Sequence, residues 1–213
     1  MTYPNPLMEH KVITHSGQTL DLLQPNQADI NIEDIAHGIS RQYRYGGALR
    51  DYTVAQHCVS VAKCIQDNWP GEEHQGLEDA LRLALIHDAA EAYIRDMPTP
   101  AKRLLPDYFD LEARLMEVII KKFNINLDWQ EMVKEADSSA CGAESRLFIR
   151  HLQVADIDGL FPPVTIPVDP EMIKDCWSPD HAKAMFLRIW TSLLPENRNK
   201  PWSKPNLFEP ARA

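Results

Sequence analysis

The sequence predicts an all-α protein, a single helical bundle with a small N-terminal hairpin or arm. Apolar residues recur at helical spacing in most segments after residue 30. The chain has sixteen prolines and only eight glycines, which fits helices separated by Pro-containing loops better than strands joined by tight turns. With 213 residues, 44% of them hydrophobic, the chain is long enough for one domain with a full core. We therefore predict an N-terminal arm over 1–29, one helical domain over 30–195 and a Pro-rich tail over 196–213.

The first elements are predicted from a turn signal and two helix caps. Residues 14–25 surround a Ser-Gly pair that is typical of a short hairpin. Asn31 is a good capping residue, and the isoleucines that follow it share one face of an amphipathic helix over 31–40. Thr53 is predicted to cap a second helix, which carries His57 on its apolar face.

The remaining helices are predicted from periodicity and from Pro and capping signals. They comprise a central helix from near Leu77 past Glu91, a short helix capped by Thr99, an amphipathic helix over 111–123, a helix opened by a capping box at 128–131 that carries Asp137, and a last helix opened by Ser178. The segment 156–176 is rich in Gly and Pro. A connector, a lid and an oligomer contact are all open for it.

Charge and cysteine content restrict the partners and the compartment. A net charge of −9 argues against stable nucleic-acid binding, which needs an excess of Lys and Arg, but leaves room for a small phosphorylated substrate. The four cysteines have no disulfide or zinc-ribbon spacing, which indicates reduced thiols and a cytoplasmic protein. We see no secretory signal and no stretch long enough to span a membrane.

The central helix carries an adjacent His and Asp in an apolar run. His87 and Asp88 would be costly to bury without partners. A bound metal ion makes such a pair acceptable, because it takes a ring nitrogen and a carboxylate oxygen as ligands. Glu91 follows one helical turn after His87, so it can face the same cavity. The motif therefore predicts a metal site beside a candidate general acid or base.

Other helices can complete the ligand set. His57 lies upstream and Asp137 downstream, each in a predicted helix. A lone His on an apolar face is more often a satisfied core residue, but His57 is one of several candidate ligands. Two imidazoles and two carboxylates favour Co, Mn, Zn or Fe over Mg or Ca, which prefer oxygen ligands.

Basic residues near the end of the first helix have two interpretations. Arg44 and Tyr45 could hold a phosphate with the guanidinium while the ring stacks on a base. They could equally form a solvated helix end, in which arginines cap exposed carbonyl groups. Arg41 and Arg50 are alternative candidates for the same contact.

Taken together, these residues resemble a known superfamily. The order His57, His87-Asp88, Asp137 is similar to that of the HD-domain phosphohydrolases. Within them, the bacterial 5′-deoxynucleotidase branch has Ala-x-Glu, an Asp, a Pro-Thr-Pro segment and a Lys after the His-Asp pair, and an Arg followed by an aromatic residue before the first His. The matching positions here are Glu91, Asp96, Pro98-Thr99-Pro100, Lys102 and Arg44-Tyr45. The resemblance covers about residues 30–148.

The resemblance implies a metal-dependent hydrolase that removes the 5′-phosphate of (deoxy)nucleoside monophosphates. It implies one divalent transition metal on His57, His87, Asp88 and Asp137, because the further His pair of dinuclear relatives is absent. Glu91 and Asp96 would be catalytic, and Arg44, Tyr45 and Lys102 would contact the nucleotide. It also implies a homo-oligomer.

Two other functions stay open. A (deoxy)nucleoside triphosphate hydrolase, releasing triphosphate or pyrophosphate, would need further cations, for which Arg95 and Arg103 are candidates. A non-catalytic module that senses a nucleotide is the hypothesis from another class. Glu91 and Asp96 argue against such a module, since a metal ion that only stabilises the fold needs neither residue.

Overall fold

Helices carry the fold, as the sequence predicts. The computed structural model describes residues 10–71, 74–149, 157–194 and 207–208. Its helices are α1 Ile32–Ser40, α2 Val54–Asp67, α3 His74–Ile86, α4 Glu91–Ile94, α5 Thr99–Lys102, α6 Pro106–Phe123, α7 Gln130–Ile149, α8 Ile157–Leu160 and α9 Pro179–Ser192. None of the helices in these ranges is long and apolar enough to cross a membrane.

The predicted N-terminal hairpin is present. Strands β1 (Lys11–Ile13) and β2 (Thr19–Asp21) pair in antiparallel register around Gly17, whose φ of +84° favours glycine. Asp34 of α1 fastens the turn, because its carboxylate accepts hydrogen bonds from the Ser16 backbone (2.7 Å) and hydroxyl (2.8 Å). Residues 1–9 of the predicted arm lie outside the described residues, as does the predicted tail over 196–213 apart from residues 207 and 208.

Helix α2 lies at the centre of the core. Between Val54 and Ile65 every residue except Lys63 is buried. Helices α3, α7 and α9 pack against α2, and α1 contacts both α4 and α9. A helix buried on nearly all sides can present a polar side chain only to a partner inside the protein. This position explains why His57 of α2 needs internal partners.

Three predicted caps are confirmed, and two predicted helix starts are wrong. Asn31, Thr53 and Ser178 each accept a hydrogen bond from a backbone amide in the first turn of the following helix. Thr99 does not cap α5, because it is the first helical residue and Pro98 precedes it. Helix α6 begins at Pro106, five residues before the predicted start, since proline is well tolerated in a first turn.

The central helix is shorter than predicted. Instead of continuing past Glu91, α3 ends at Ile86, and residues 87–90 form a turn before α4. The turn is held by i→i+3 hydrogen bonds from the Ala89 amide to the Ile86 carbonyl (2.9 Å) and from the Glu91 amide to the Asp88 carbonyl (3.0 Å). The Nδ1 atom of the His87 ring forms a 2.7 Å hydrogen bond with the Ala84 carbonyl oxygen, which lies in the last turn of α3. The break therefore falls on the His-Asp pair itself.

The described part of the 156–176 segment packs on the bundle. The Ser139 hydroxyl on α7 accepts hydrogen bonds from the Thr165 and Ile166 amides. The Gln56 side chain on α2 donates to the Met172 and Asp175 carbonyl groups. Ser139 and Gln56, which form these hydrogen bonds, are both buried. The segment therefore covers α2 and α7 next to the His-Asp site.

Candidate metal centre

Side chains from three places meet at one point. His57 comes from α2, His87 and Asp88 from the turn after α3, and Asp137 from α7. One donor atom each of His57, His87 and Asp88 lie within 4.8 Å of one another, so this group could hold a metal ion. Asp137 Oδ1 lies 2.9 Å from His57 Nε2 and 3.7 Å from His87 Nε2. Asp88 Oδ2 lies 3.2 Å from His87 Nε2.

In both imidazoles, a contact at Nδ1 fixes the orientation of the ring. His57 Nδ1 lies 2.6 Å from Glu144 Oε1, and His87 Nδ1 contacts the Ala84 carbonyl oxygen. Nδ1 is the donor in both contacts, so Nε2 of each ring points toward the carboxylates. The buried Nε2 of His87 has no hydrogen bond of good geometry among the described residues. Two lone pairs can face each other at such distances only with a proton or a metal ion between them.

The donor set and the charge balance fit a metal ion. The ligands of one ion, each about 2.1 Å from it, are separated by about 3 to 4 Å, as these donor atoms are. Five carboxyl groups (Asp88, Glu91, Asp96, Asp137 and Glu144) share the region with two permanent cations (Arg44 and Lys102). A divalent ion would offset the excess of carboxyl groups over cations.

Electrostatics favours ionised carboxylates at the ligand positions. Burial raises the pKa of Asp88, but the neighbouring His87 outweighs it and lowers that pKa to about 2. Burial opposes ionisation of Asp137 as well, yet the neighbouring His57 and His87 hold its pKa below the ordinary value. Metal ligands must be deprotonated to bind. Both carboxyl groups meet that requirement at neutral pH.

Glu91 lies beside this cluster with one oxygen free. Its Oε1 accepts a hydrogen bond from Lys102 Nζ (3.3 Å), whereas the buried Oε2 has no partner among the described residues. Burial, and then the charges of Asp88 and Asp96, raise the pKa of Glu91 to about 9. Lys102 also contacts Glu112 at 2.8 Å. A buried carboxyl group with a raised pKa and one free oxygen is suited to proton transfer.

Gln42 fixes the segment that carries Glu91 and Asp96. Its side-chain amide donates to the Glu91 carbonyl oxygen and accepts from the Asp96 amide at 2.5 Å. Both ends of α4 are thus attached to one buried side chain, which orients the two carboxyl groups relative to each other. Burial and the charge of Asp88 raise the pKa of Asp96, although the charge of Arg44 opposes them.

Arg44 and Tyr45 are joined to the ligands through Glu144. The Glu144 carboxylate is buried and accepts from Arg44 Nε (3.0 Å) and from the Tyr45 hydroxyl (3.2 Å), as well as from His57. The outer end of Arg44 lies 3.6 Å from Asp88 Oδ2. The Tyr45 ring packs edge-on against Phe148 and is not free at the surface. Arg44 therefore keeps a charged end beside the metal ligands.

The other cations considered from the sequence lie elsewhere. Arg41 forms an ion pair with Asp180 at 2.6 Å, and Arg50 donates to the Lys174 carbonyl oxygen. Arg95 lines a separate cavity, and Arg103 is exposed. These positions remove Arg41 and Arg50 as substitutes for Arg44.

Comparison with known proteins places the chain in a family. No family model matches it. The uncharacterized protein YfdR of Escherichia coli is 34% identical over 183 residues, covering 84% of this chain and 93% of YfdR. The chain belongs to the YfdR family. A second relative, the uncharacterized protein RCAP_rcc00048 of Rhodobacter capsulatus, is 34% identical over 137 residues, covering 62% of this chain and 67% of the relative.

In this YfdR-family protein, a cleft of about 290 Å³ opens at the ligands. Its floor contains His87 and Asp137, and apolar side chains of α3, α6 and α7 line it together with Gln130 and Lys134. Asp137 is the most exposed of the four predicted ligands, with 37% of its side chain accessible against 0% for His57. The cleft is therefore a route by which a ligand can reach the centre.

Sequence reasoning missed three contributors in this member of the YfdR family. Glu144, the first of them, contacts His57 and Arg44. Gln42 and Lys134 gave no signal at all. Small residues around Glu144, namely Gly142, Ala143 and Ser145, were the one available sign of a buried carboxylate.

Proposed function

We propose that this protein is a metal-dependent phosphohydrolase that removes the 5′-phosphate of (deoxy)nucleoside monophosphates. The observation that carries the proposal is the meeting of two inward-facing imidazole nitrogens and two ionised carboxylates with the buried carboxyl group of Glu91. A site that only staples the fold would not need Glu91. The resemblance to the HD-domain 5′-deoxynucleotidases supports the same activity.

His57, His87, Asp88 and Asp137 would hold the ion. When bound, a divalent metal supplies Lewis-acid stabilisation of phosphoryl oxygens and a lower pKa of bound water. Glu91 Oε2 then takes a proton from the attacking water or gives one to the leaving 5′-oxygen, while Lys102 orients the carboxyl group through Oε1. Water attacks phosphorus, the P–O5′ bond breaks, and nucleoside and orthophosphate leave.

Arg44 and Lys102 would balance charge on the phosphoryl group. Glu144 fixes Arg44 through Nε, so the outer nitrogens remain available for phosphate oxygens beside Asp88. The apolar cleft next to His87 has the size of a nucleoside, and burial of a base there would supply binding energy. Asp96 would hold a sugar hydroxyl or a water molecule.

Lys134 supports a second candidate function. It lines the cleft at the ligands and could neutralise further phosphates of a triphosphate. Of the two cations that the sequence suggested for this role, Arg95 lines another cavity. Lys134 is therefore the observation that favours triphosphate hydrolysis.

The test is product analysis with a panel of deoxy- and ribonucleoside mono- and triphosphates in Mn²⁺, Co²⁺ or Zn²⁺. We expect metal-dependent release of orthophosphate and nucleoside from monophosphates. Triphosphate or pyrophosphate as the product would establish the second candidate instead. Stoichiometric metal binding without turnover of any member would contradict hydrolysis of this panel and favour a nucleotide-sensing module.

Replacing Glu144 with glutamine should weaken metal binding about 10- to 100-fold. The carboxylate fixes the His57 ring with Nε2 inward, and loss of such an outer partner typically has that effect. Isothermal titration with Mn²⁺ or Zn²⁺ measures the affinity, and ¹⁵N chemical shifts of His57 report the tautomer. Glu135→Gln, at an exposed position of the same helix, is the control. Unchanged affinity and unchanged His57 shifts would contradict the role.

A further inference from the structure

A second cavity shares no lining residue with the metal centre. It has a volume of about 540 Å³ and lies between β1, α1 and α4. Small-molecule sites in proteins have volumes of about 300 to 1,000 Å³. Polar groups of α1 and of the segments that follow β1, α1 and α4 line it, among them Thr14, His15, His37, Arg41 and Arg95.

Two imidazoles are stacked in this cavity amid positive charge. The ring centroids of His15 and His37 are 3.6 Å apart and their planes differ by 6°. Burial and the charges of Arg41, His15 and Lys183 lower the pKa of His37, and only Asp34 acts in the opposite direction. Two cations, Arg41 and Lys183, therefore lie near the stacked rings.

Several donors of the cavity have no partner. The Arg95 guanidinium and the ring nitrogens of His15 and His37 form no ion pair or hydrogen bond with the residues that the structure describes. The Tyr93 side chain also lines the cavity, and its buried hydroxyl lacks a hydrogen-bond partner among those residues. The unpaired Tyr93 hydroxyl is buried and therefore costly, whereas His15 and Arg95 are exposed and His37 is half-buried. A ligand with acceptor oxygens would give these donors a partner.

The lining carboxylate does not compensate these donors. Asp34 already accepts hydrogen bonds from the Ser16 amide and hydroxyl and from the Asn31 side chain. Arg95 also has a backbone conformation, φ +79° and ψ 155°, that residues other than glycine rarely adopt. Strained residues of this kind cluster at ligand clamps and active sites.

From this arrangement we propose that the cavity is a second binding site, for a small anion bearing phosphate groups. His15, His37 and Arg95 donate to the phosphate oxygens, and Arg41, which is paired with Asp180, lines the same cavity. Phosphate is matched to guanidinium and imidazole donors, which form charge-assisted hydrogen bonds with it. Either free phosphate or a phosphate ester presents this chemistry.

Occupancy of this site is coupled to the segment that carries Glu91, a part of the inference that rests on the proposed function. A Cβ atom on Gly38 would lie 2.7 Å from the Cβ of Ala92, so the backbones of α1 and α4 are in direct contact. Gln42, next to Arg41 in sequence, joins α1 to the Glu91 carbonyl and the Asp96 amide. A ligand that shifts α1 against α4 therefore moves Glu91 and Asp96 together.

The binding test uses full-length protein in the presence of a chelator, titrated separately with inorganic phosphate, pyrophosphate and ATP. NMR imidazole resonances of His15 and His37 should shift saturably, also in Arg44→Gln, which disables the metal-centre cation. His15→Asn and Arg95→Gln, both at exposed positions, should each weaken binding about tenfold, and the exposed control Arg103→Gln should not. A response to all three probes assigns the site to phosphate itself, and a response to ATP alone assigns it to a phosphate ester.

Unshifted His15 and His37 resonances at millimolar concentrations of every probe would overturn the site, and so would equal binding by Arg95→Gln and wild type. Coupling is tested by turnover of a nucleoside monophosphate at fixed free metal with rising phosphate. Phosphate competes with the nucleotide at the metal centre to the same extent in wild type and in Arg95→Gln. We expect a difference between the two proteins, and identical curves would overturn the coupling while leaving the binding result unaffected.

Discussion

Asp88→Asn should abolish tight metal binding and, with it, turnover. Asparagine keeps the size of the side chain but removes the charge and one strong oxygen ligand beside His87, and the carboxylate is ionised at neutral pH in the native protein. We expect the affinity for Mn²⁺, Co²⁺ or Zn²⁺ to fall by more than about 100-fold, beyond the loss typical of an outer partner. Elemental analysis and titration calorimetry measure the stoichiometry and the affinity.

Thermal unfolding gives an independent measurement of the same change. A ligand at 100 times its Kd stabilises the native state by about 2.7 kcal/mol, so metal should raise the Tm of the wild type but not that of Asp88→Asn. Asp110→Asn, at an exposed carboxylate on α6, should behave as wild type. A full equivalent of tightly bound metal in Asp88→Asn would exclude the His-Asp pair as the centre.

The sequence was sufficient for the fold class, and it named His57, His87 and Asp88, which the structure brings together as a group that could hold a metal ion. Helix periodicity and the caps at Asn31 and Thr53 predicted α1 and α2. The adjacent His87 and Asp88 stand out because a buried polar pair needs a partner. Their convergence with His57 depends on α2 and α3 packing side by side. Periodicity predicts each helix but not which of its neighbours it contacts.

What the sequence could not predict depends on contacts between distant residues or on very short elements. Glu144 lies 100 residues after Arg44, and next to Arg146 it resembles an ordinary surface charge. The break after Ile86 is stabilised by a bond between the His87 ring and a carbonyl group, which no apolar pattern reveals. Helix α4 has four residues, too few for periodicity to separate the face of Glu91 from that of Arg95.

Glu91→Gln should lower kcat about 10²- to 10⁴-fold while metal binding is retained. Glutamine can still accept from Lys102, but it cannot transfer a proton at Oε2, and general acid-base catalysis contributes about that factor. Glu91 is not one of the four candidate ligands, so the metal affinity should stay within a few-fold of wild type. Steady-state kinetics and metal titration of one preparation measure both. Glu117→Gln, at an exposed position of α6, is the control.

The same substitution should stabilise the protein in the presence of a chelator. The pKa of Glu91 is raised from 4.5 to about 9, so the folded state binds this proton more tightly than the unfolded chain does. Its stabilising contribution is complete below about pH 4.5 and is lost as the pH rises toward 9. Glutamine lacks this titration, and the advantage of the variant in urea unfolding should therefore be larger at pH 8 than at pH 5. A variant that is more stable yet inactive would mark Glu91 as a residue retained for chemistry, whereas full activity would move the proton-transfer role to Asp96.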